Sequence, residues 1–262
     1  MIDVITIRGT GNPRGVFNGM TGVVAKQLNR ASFRIFECNF PATIGNVGAG
    51  NGIGAHPLDV SVELGVADLA RQVRDSPNPV GLISYSLGGI VASRFLEGVA
   101  LRRWTNPNGS PLEVAFHLGI ANPARNAGDH VVPVQGSGIH SSHGPFPRNT
   151  VNLELCDARD IIGATPRFSP LRNISRGLSP FAALQLNETD PFRSLDAVKS
   201  TDWLSWLRES SYLAAGAGLT AYLVPYGNPG RTPHTGYAME RMPGQNITWT
   251  DWAAQELNRR FA

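Results

Sequence analysis

Short apolar runs and amphipathic stretches alternate along most of this chain. Runs of strand length predict β-strands beginning at Val80 and over Val4–Ile7, Ser32–Cys38, Leu112–Ile120 and Val151–Cys156. Stretches with apolar residues at helical spacing predict helices from the turn at Ser86 through Leu96 and over Asn18–Asn29, Pro57–Asp75 and Trp249–Phe261. Strands and helices that alternate at such short spacing predict a mainly parallel sheet between two helical layers, an α/β/α arrangement.

The alternation fails between residues 161 and 230. Prolines interrupt the first part of this stretch, and the part from Pro191 onward has Trp203, Trp206, Leu207 and Leu213 at helical spacing. We therefore predict one α/β domain made of residues 1–160 and 231–262, with residues 161–230 forming a helical insertion. Such an insertion can cover the core with one face and wall a groove for an apolar chain with the other.

The stretch from Val80 to Phe95 carries the strongest chemical signal. It is a buried strand, a sharp turn with Ser86 at its apex, and an apolar helix, which is the nucleophile elbow of α/β-hydrolases. The crowded turn needs small residues on both sides of the serine, and Gly88 and Gly89 meet this need on the side that follows it. Ser84 stands where the usual pattern has glycine. The alternative is that Ser86 is an ordinary helix N-cap.

In this fold an acid and then a histidine base should follow the serine along the chain. Of the six histidines, only His234 lies after the last strand, in a loop rich in Pro, Gly and Thr. Asp157 and Asp160 both follow the strand that ends near Cys156. We prefer Asp160 as the acid because it lies further into the loop and can turn back toward the histidine, but Asp157 stays open.

An oxyanion hole would complete this site. The backbone N–H of Leu87 should supply one donor, and a backbone amide or the hydroxyl of Thr10, in the glycine-containing loop after the first strand, should supply the other. The expected reaction is acyl transfer, in which Ser86 attacks an ester, His234 protonates the leaving alcohol and water hydrolyses the acyl-enzyme.

The other histidines, the cysteines and the glycine-rich stretch are predicted to have structural rather than catalytic roles. His117 lies within a predicted strand and should be packed in the core, whereas His130, His140 and His143 should be solvated loop residues rather than metal ligands. Cys38 and Cys156 should be two buried thiols, although a pair across the sheet stays open. The glycine-rich stretch Ile44–Ala55 fits a dinucleotide motif poorly and should be a mobile loop at the site. We therefore expect neither a cofactor nor a metal.

The composition of the chain limits the classes of molecule that it is expected to bind. Charged residues make up 16% of the 262 residues and the formal net charge is +3, without a basic run interleaved with aromatics, so nucleic-acid binding is not expected. No apolar run reaches membrane-spanning length, and the start of the chain does not look like a signal peptide. We expect a protein made in the cytoplasm.

Several motifs along the chain carry a family resemblance. They are Ile7-Arg-Gly-Thr-Gly-Asn-Pro13, Asn39-Phe-Pro-Ala42, the helix containing Ser61–Ala67, the elbow, Gly119-Ile-Ala-Asn-Pro123, Cys156-Asp-Ala-Arg-Asp160 and Pro233-His234. Together they resemble the Lysin B proteins of mycobacteriophages, which are cutinase-like esterases. The chain departs from that pattern at Ser84, at Arg8, where the family often has histidine, and in its long glycine-rich loop.

The resemblance implies a function and a place of action. Lysin B enzymes are mycolylarabinogalactan esterases, which cut the ester between mycolic acids and arabinogalactan late in phage lysis. The triad carried over is Ser86, Asp160 and His234, and the insertion is similar to the family's linker subdomain. The expected partner is thus a lipid ester at the host envelope, reached after release from the infected cell. Alternatives are a general cutinase- or lipase-like carboxylesterase, an inactive envelope-binding protein, and a nucleotide binder. The oligomeric state is left open.

Overall fold

Five parallel strands form the centre of the fold. The computed structural model describes residues 1–44, 56–140, 142–169, 171–172 and 232–262. Within these ranges the strands are β1 (Ile2–Ile7), β2 (Phe33–Glu37), β3 (Val80–Tyr85), β4 (Val114–Ile120) and β5 (Val151–Leu155). They pair in the order β2-β1-β3-β4-β5, and every pair is parallel. The mainly parallel sheet predicted from the sequence is confirmed.

Helices cover both faces of this sheet. They are α1 (Gly19–Lys26), α2 (Leu58–Asp75), α3 (Leu87–Ala100) and α4 (Trp249–Phe261), with a short 3₁₀ helix at Gly236–Ala238. α2 and α3 pack together over one face, while α1 and α4 pack together over the other. The chain therefore has the predicted three layers. None of the helices in the described ranges has both the length and the apolar character needed to cross a bilayer.

The strand β3 shows why the central apolar run is continuous rather than alternating. Its side chains point to opposite faces in turn, so Val80 and Leu82 join the α2–α3 core while Ile83 and Tyr85 join the α1–α4 core. Both faces are covered, and all six residues of the strand are buried. Burial on both faces selects apolar residues at nearly every position.

Several predicted boundaries differ from the structure by a few residues, and two of them have a local explanation. α1 ends at Lys26 rather than Asn29, because Gln27 and Leu28 donate to carbonyls only three residues back and so tighten the last turn. β4 begins at Val114 rather than Leu112, since Pro111 is engaged in an antiparallel bridge with Thr105. Residues 45–55 of the glycine-rich stretch lie outside the described residues, as do residues 170 and 173–230 of the predicted insertion.

The parallel arrangement brings several loops to one edge of the sheet. Residues that follow β1, β3, β4 and β5 all leave at the carboxyl ends of their strands, and in open parallel sheets this edge is where ligands bind. Ser86 follows β3 directly, and Asp157 and Asp160 follow β5. The site predicted from the sequence therefore falls at this edge.

Candidate active site

Ser86 occupies a strained turn between β3 and α3. Its φ and ψ are 52° and −120°, a backbone conformation that side-chain-bearing residues rarely adopt. The turn leaves no space for larger neighbours, because a Cβ on Gly88 would lie 2.1 Å from the Ile7 carbonyl oxygen and one on Gly89 would lie 2.6 Å from Asn122 Oδ1. The crowding that led us to expect small residues after the serine is therefore present at both glycines. The elbow is formed.

Ser84, which departs from the usual elbow pattern, has a partner in the core. Its Oγ lies 2.8 Å from His117 Nε2, and His117 Nδ1 lies 2.8 Å from Asn152 Oδ1 on the next strand. Burial lowers the pKa of His117 to about 4, so the ring is neutral. Its Nδ1–H then donates to Asn152, and its Nε2 accepts from the Ser84 hydroxyl. The Ser84 hydroxyl thus satisfies a buried histidine nitrogen, a bond that glycine at this position could not make.

The structure brings the three residues of the predicted triad together. His234 Nε2 lies 2.9 Å from Ser86 Oγ, and His234 Nδ1 lies 3.2 and 3.1 Å from the two oxygens of Asp160. Both His234 and Asp160 are buried. A base within hydrogen-bond reach of a serine, oriented in turn by a carboxylate, is the arrangement that activates a serine nucleophile.

Asp160 keeps its charge although it is fully buried. Burial alone would raise the pKa of this carboxyl, but the charge of a protonated His234 and hydrogen bonds from His234, Ile162 N–H and the Tyr237 hydroxyl outweigh it and lower the pKa below its ordinary value. The carboxylate is therefore available to hold the imidazole and to stabilise the imidazolium that forms when His234 takes a proton from Ser86.

Asp157, the alternative acid, lies elsewhere. Its two carboxylate oxygens accept from the Arg159 guanidinium at 3.0 and 2.6 Å, and Oδ1 also accepts from the Arg159 backbone N–H. Its own backbone N–H donates to the Tyr237 hydroxyl at 2.9 Å. Among the described contacts, the Asp160 carboxylate faces His234, whereas the Asp157 carboxylate binds Arg159 in the turn after β5.

Two tyrosines that sequence reasoning missed contact the triad. The Tyr85 hydroxyl donates to the His234 carbonyl at 3.0 Å, and its ring stacks on the His234 ring with 5.3 Å between centroids. The Tyr237 hydroxyl lies 2.8 Å from Asp160 Oδ2. Tyr85 precedes the serine in the elbow, and Tyr237 lies three residues after His234, so proximity in sequence to the motifs was the available signal.

The two residues predicted for the oxyanion hole lie on adjoining elements. Leu87 is the first residue of α3 and follows Ser86 directly. Thr10 lies in the loop after β1, and its neighbour Gly9 passes so near the elbow that a Cβ there would be 3.2 Å from Ser86 Cβ. Arg8, at the position where the resembling family often has histidine, points away into contacts with Glu37 and the Cys38 carbonyl at 3.4 Å each. The donor roles of Leu87 and Thr10 stay predictions.

The prediction that His143 is a solvated loop residue is wrong. Its side chain is 5% exposed, its Nε2 lies 2.8 Å from Asp129 Oδ2, and its Nδ1 lies 2.7 Å from the Gly144 carbonyl oxygen. It also stacks on Phe146 with 3.8 Å between ring centroids. The prediction rested on the lack of a carboxylate partner near His143 in the sequence, whereas the partner, Asp129, lies fourteen residues away along the chain. His130 is exposed and His140 is half-buried.

The remaining sequence assignments concern thiols and metals. Cys38 and Cys156 are both buried free thiols. Within residues 1–44, 56–140, 142–169, 171–172 and 232–262, no group of three or more His, Cys, Asp and Glu side chains could hold a metal ion. His117 is fully buried in β4, as its place in an apolar run predicted.

We compared the chain with known protein families, sequences and solved structures. No protein-family model and no curated protein sequence matches the chain. Among solved structures, lysin B from Mycobacteriophage D29 is similar at 16% identity with a TM-score of 0.58, covering 97% of this chain and 98% of that one. An acetylxylan esterase is similar at 20% identity with a TM-score of 0.50, covering 71% of this chain and 94% of that one. The fold is a three-layer α/β/α hydrolase fold.

Proposed function

We propose that this chain is a serine esterase whose nucleophile, base and acid are Ser86, His234 and Asp160. The observation that carries the proposal is the pair of hydrogen-bond contacts made by His234, 2.9 Å to Ser86 Oγ and 3.1 Å to Asp160 Oδ2, at a strained strand–helix turn. Ser86 attacks the ester carbonyl while His234 takes its proton, and His234 then returns that proton to the leaving alcohol. Water, activated by the same histidine, releases the acid.

For the substrate, we propose the ester between mycolic acids and arabinogalactan, cleaved at the actinobacterial envelope during host lysis by a phage. The sequence motifs resemble Lysin B, and the likeness to the phage lysin B structure extends over 97% of this chain, against 71% for the acetylxylan esterase. The protein would be made in the infected host and would act after release to the envelope.

A carboxylesterase of broader, cutinase-like specificity is the second candidate. The similarity to an acetylxylan esterase supports it, because that enzyme's name shows that a similar fold serves an ester other than a mycolyl ester. The third alternative, an inactive envelope-binding protein, would be favoured if Ser84, in place of the usual glycine, disturbed the elbow. The contacts of Ser84 Oγ with His117 and of Ser86 Oγ with His234 support an active enzyme instead.

The first test is hydrolysis of p-nitrophenyl butyrate by the purified protein and by Ser86→Ala. We expect turnover by the wild type and a loss of roughly 10⁴–10⁶-fold in the variant. Ser93→Ala is the matched control, because it deletes a buried hydroxyl from the same helix and should keep turnover within about tenfold of the wild type.

The second test separates the candidate substrates. Purified mycolyl–arabinogalactan and acetylated xylan are offered to the wild type and to Ser86→Ala, and released mycolic acid and acetate are quantified. Mycolic acid released only by the wild type supports the envelope substrate, and acetate alone supports the broader esterase. If no ester is cleaved by the wild type, the proposed function is wrong.

A further inference from the structure

The hydroxyl of Tyr237 has its orientation fixed by its two partners. The backbone N–H of Asp157 donates to it at 2.9 Å, which uses a lone pair. Its single proton is then directed at Asp160 Oδ2, which lies 2.8 Å away. Tyr237 is 1% exposed, so bulk solvent does not compete for either bond.

This contact complements another on the same carboxylate. The Ile162 backbone N–H donates to Asp160 Oδ1 at 3.0 Å, while Tyr237 holds Oδ2. His234 Nδ1 lies 3.2 and 3.1 Å from the two oxygens, nearly equidistant from both. The terminal torsion of an aspartate is intrinsically broad, so donors on both oxygens are needed to fix the plane of the carboxylate. The position of His234 relative to Ser86 depends on that plane.

Tyr237 is itself held in place. It lies in the 3₁₀ helix Gly236–Ala238, three residues after His234, and its ring packs edge-on against Trp249 with 5.6 Å between centroids. Trp249 is the first residue of α4 and is buried. The hydroxyl therefore projects from a fixed support rather than from a mobile loop.

We propose that Tyr237 is a positioning residue for the ester hydrolysis, which acts by fixing the Asp160 carboxylate that orients His234. The inference rests on the proposed function of Ser86, His234 and Asp160. Because the hydroxyl also draws charge from the carboxylate, its removal makes the coupled His234–Asp160 pair more basic, and the pair then holds its proton to a higher pH.

The test compares Tyr237→Phe with Tyr85→Phe. Each variant deletes one buried tyrosine hydroxyl beside the triad, but Tyr85 donates to the His234 backbone carbonyl rather than to Asp160. For Tyr237→Phe we expect kcat on p-nitrophenyl butyrate to fall roughly 10–100-fold with KM within about twofold, and the acid limb of kcat/KM to move to higher pH. For Tyr85→Phe we expect the acid limb to stay in place. An unchanged kcat and acid limb in Tyr237→Phe, or equal shifts in both variants, would overturn the proposal.

A measurement independent of turnover accompanies the kinetics. The downfield NMR signal of the His234 Nδ1 proton, assigned by its loss in His234→Ala, is titrated with pH in the wild type and both tyrosine variants. We expect its midpoint to move to higher pH only in Tyr237→Phe. If the wild type cleaves no ester, the proposed function fails while this titration still decides the contact between Tyr237 and Asp160.

A second substitution covers the case in which Tyr237→Phe does not fold. Replacement of Tyr237 by 3-fluorotyrosine keeps the ring and the hydroxyl, and the fluorine makes the hydroxyl a stronger donor. We expect the acid limb and the NMR midpoint to move to lower pH, opposite to Tyr237→Phe. No movement in the fluorinated protein would count against the proposal.

Discussion

At the scale of single residues, the described site depends on how one buried carboxylate is satisfied. Asp160 is fully buried, yet its oxygens accept from His234, Ile162 and Tyr237. An unpaired buried charge would be costly, whereas a carboxylate with several donors stays ionised. Asp157, only three residues away, makes its bonds to Arg159 instead. Substitutions of the two aspartates should therefore have different effects on turnover.

Substitution of these aspartates should separate their roles. We expect Asp160→Asn to lower kcat by about 10⁴-fold, the loss typical when the histidine of a triad loses its carboxylate. We expect Asp157→Asn to lower kcat by less than about tenfold, because its backbone N–H still reaches Tyr237. Steady-state kinetics on a p-nitrophenyl ester measures both. Similar losses in the two variants would contradict the assignment of the acid to Asp160.

The sequence was sufficient to select these residues but not their supports. Chain order left His234 as the base, and loop position favoured Asp160 over Asp157, because both arguments depend only on where strands end. Tyr237 and the bond between Ser84 and His117 involve partners that are distant in sequence or on neighbouring strands. No periodicity marks such contacts, since they depend on strand register and on the path of a loop.

At the scale of elements, the described part of the loop between β4 and β5 is held by a contact between His143 and the Asp129 carboxylate. Burial alone would lower the pKa of His143, but hydrogen bonds to the Asp129 carboxylate and the Gly144 carbonyl outweigh it and raise the pKa above its usual value. Other acids face this region: Glu97 of α3 accepts from the Gly144 N–H at 3.1 Å, and Glu154 lies on β5, where burial raises its pKa to about 7. The neutral His117 of β4 lies beyond Phe146.

The raised pKa of His143 predicts a pH-dependent contribution to stability. A histidine that binds its proton more tightly in the folded protein than in the unfolded chain stabilises the fold. This stabilisation is complete below the pKa that the histidine has in the unfolded chain, about 6.5, and is lost as pH rises through its pKa in the folded protein. We expect His143→Gln to cost about 1–3 kcal/mol of unfolding free energy near pH 6 and less near pH 9. Guanidinium titrations of both proteins across this range measure the difference.

His130→Gln is the control for this measurement, because His130 lies in the same loop and is exposed. We expect it to leave the unfolding free energy within about 0.5 kcal/mol of the wild type at every pH. If the cost of His143→Gln does not change with pH, the histidine is neutral in the folded protein and the charged contact with Asp129 does not form.

At the scale of the whole molecule, the last helix closes the fold against the first. Asn258 of α4 accepts from the Asn29 N–H at 2.9 Å and donates to the Gln27 carbonyl at 3.0 Å, just beyond the end of α1. Leu257 is fully buried and shares a core cluster with Val24 and Leu28. The segment that carries His234 is therefore anchored through α4 to the opening part of the chain.

Removal of a core side chain from α4 should weaken the whole α1–α4 layer. We expect Leu257→Ala to lower the unfolding free energy by about 2–5 kcal/mol, through lost burial and the cavity left behind. Gln255→Ala, two residues away and exposed, should change it by no more than about 0.5 kcal/mol. Equal costs for the two variants, measured by guanidinium unfolding, would mean that α4 is not part of the cooperative core.

The distance along the chain between the nucleophile and its base has a consequence in time. Ser86 and His234 are 148 residues apart. At about 5–20 residues per second, a ribosome needs roughly 7–30 seconds to add the residues between them. During that interval Ser86 has been added to the chain but His234 has not, so the contact between their side chains cannot form. The order of synthesis therefore makes the pairing of Ser86 with His234 a late event relative to the synthesis of the elbow.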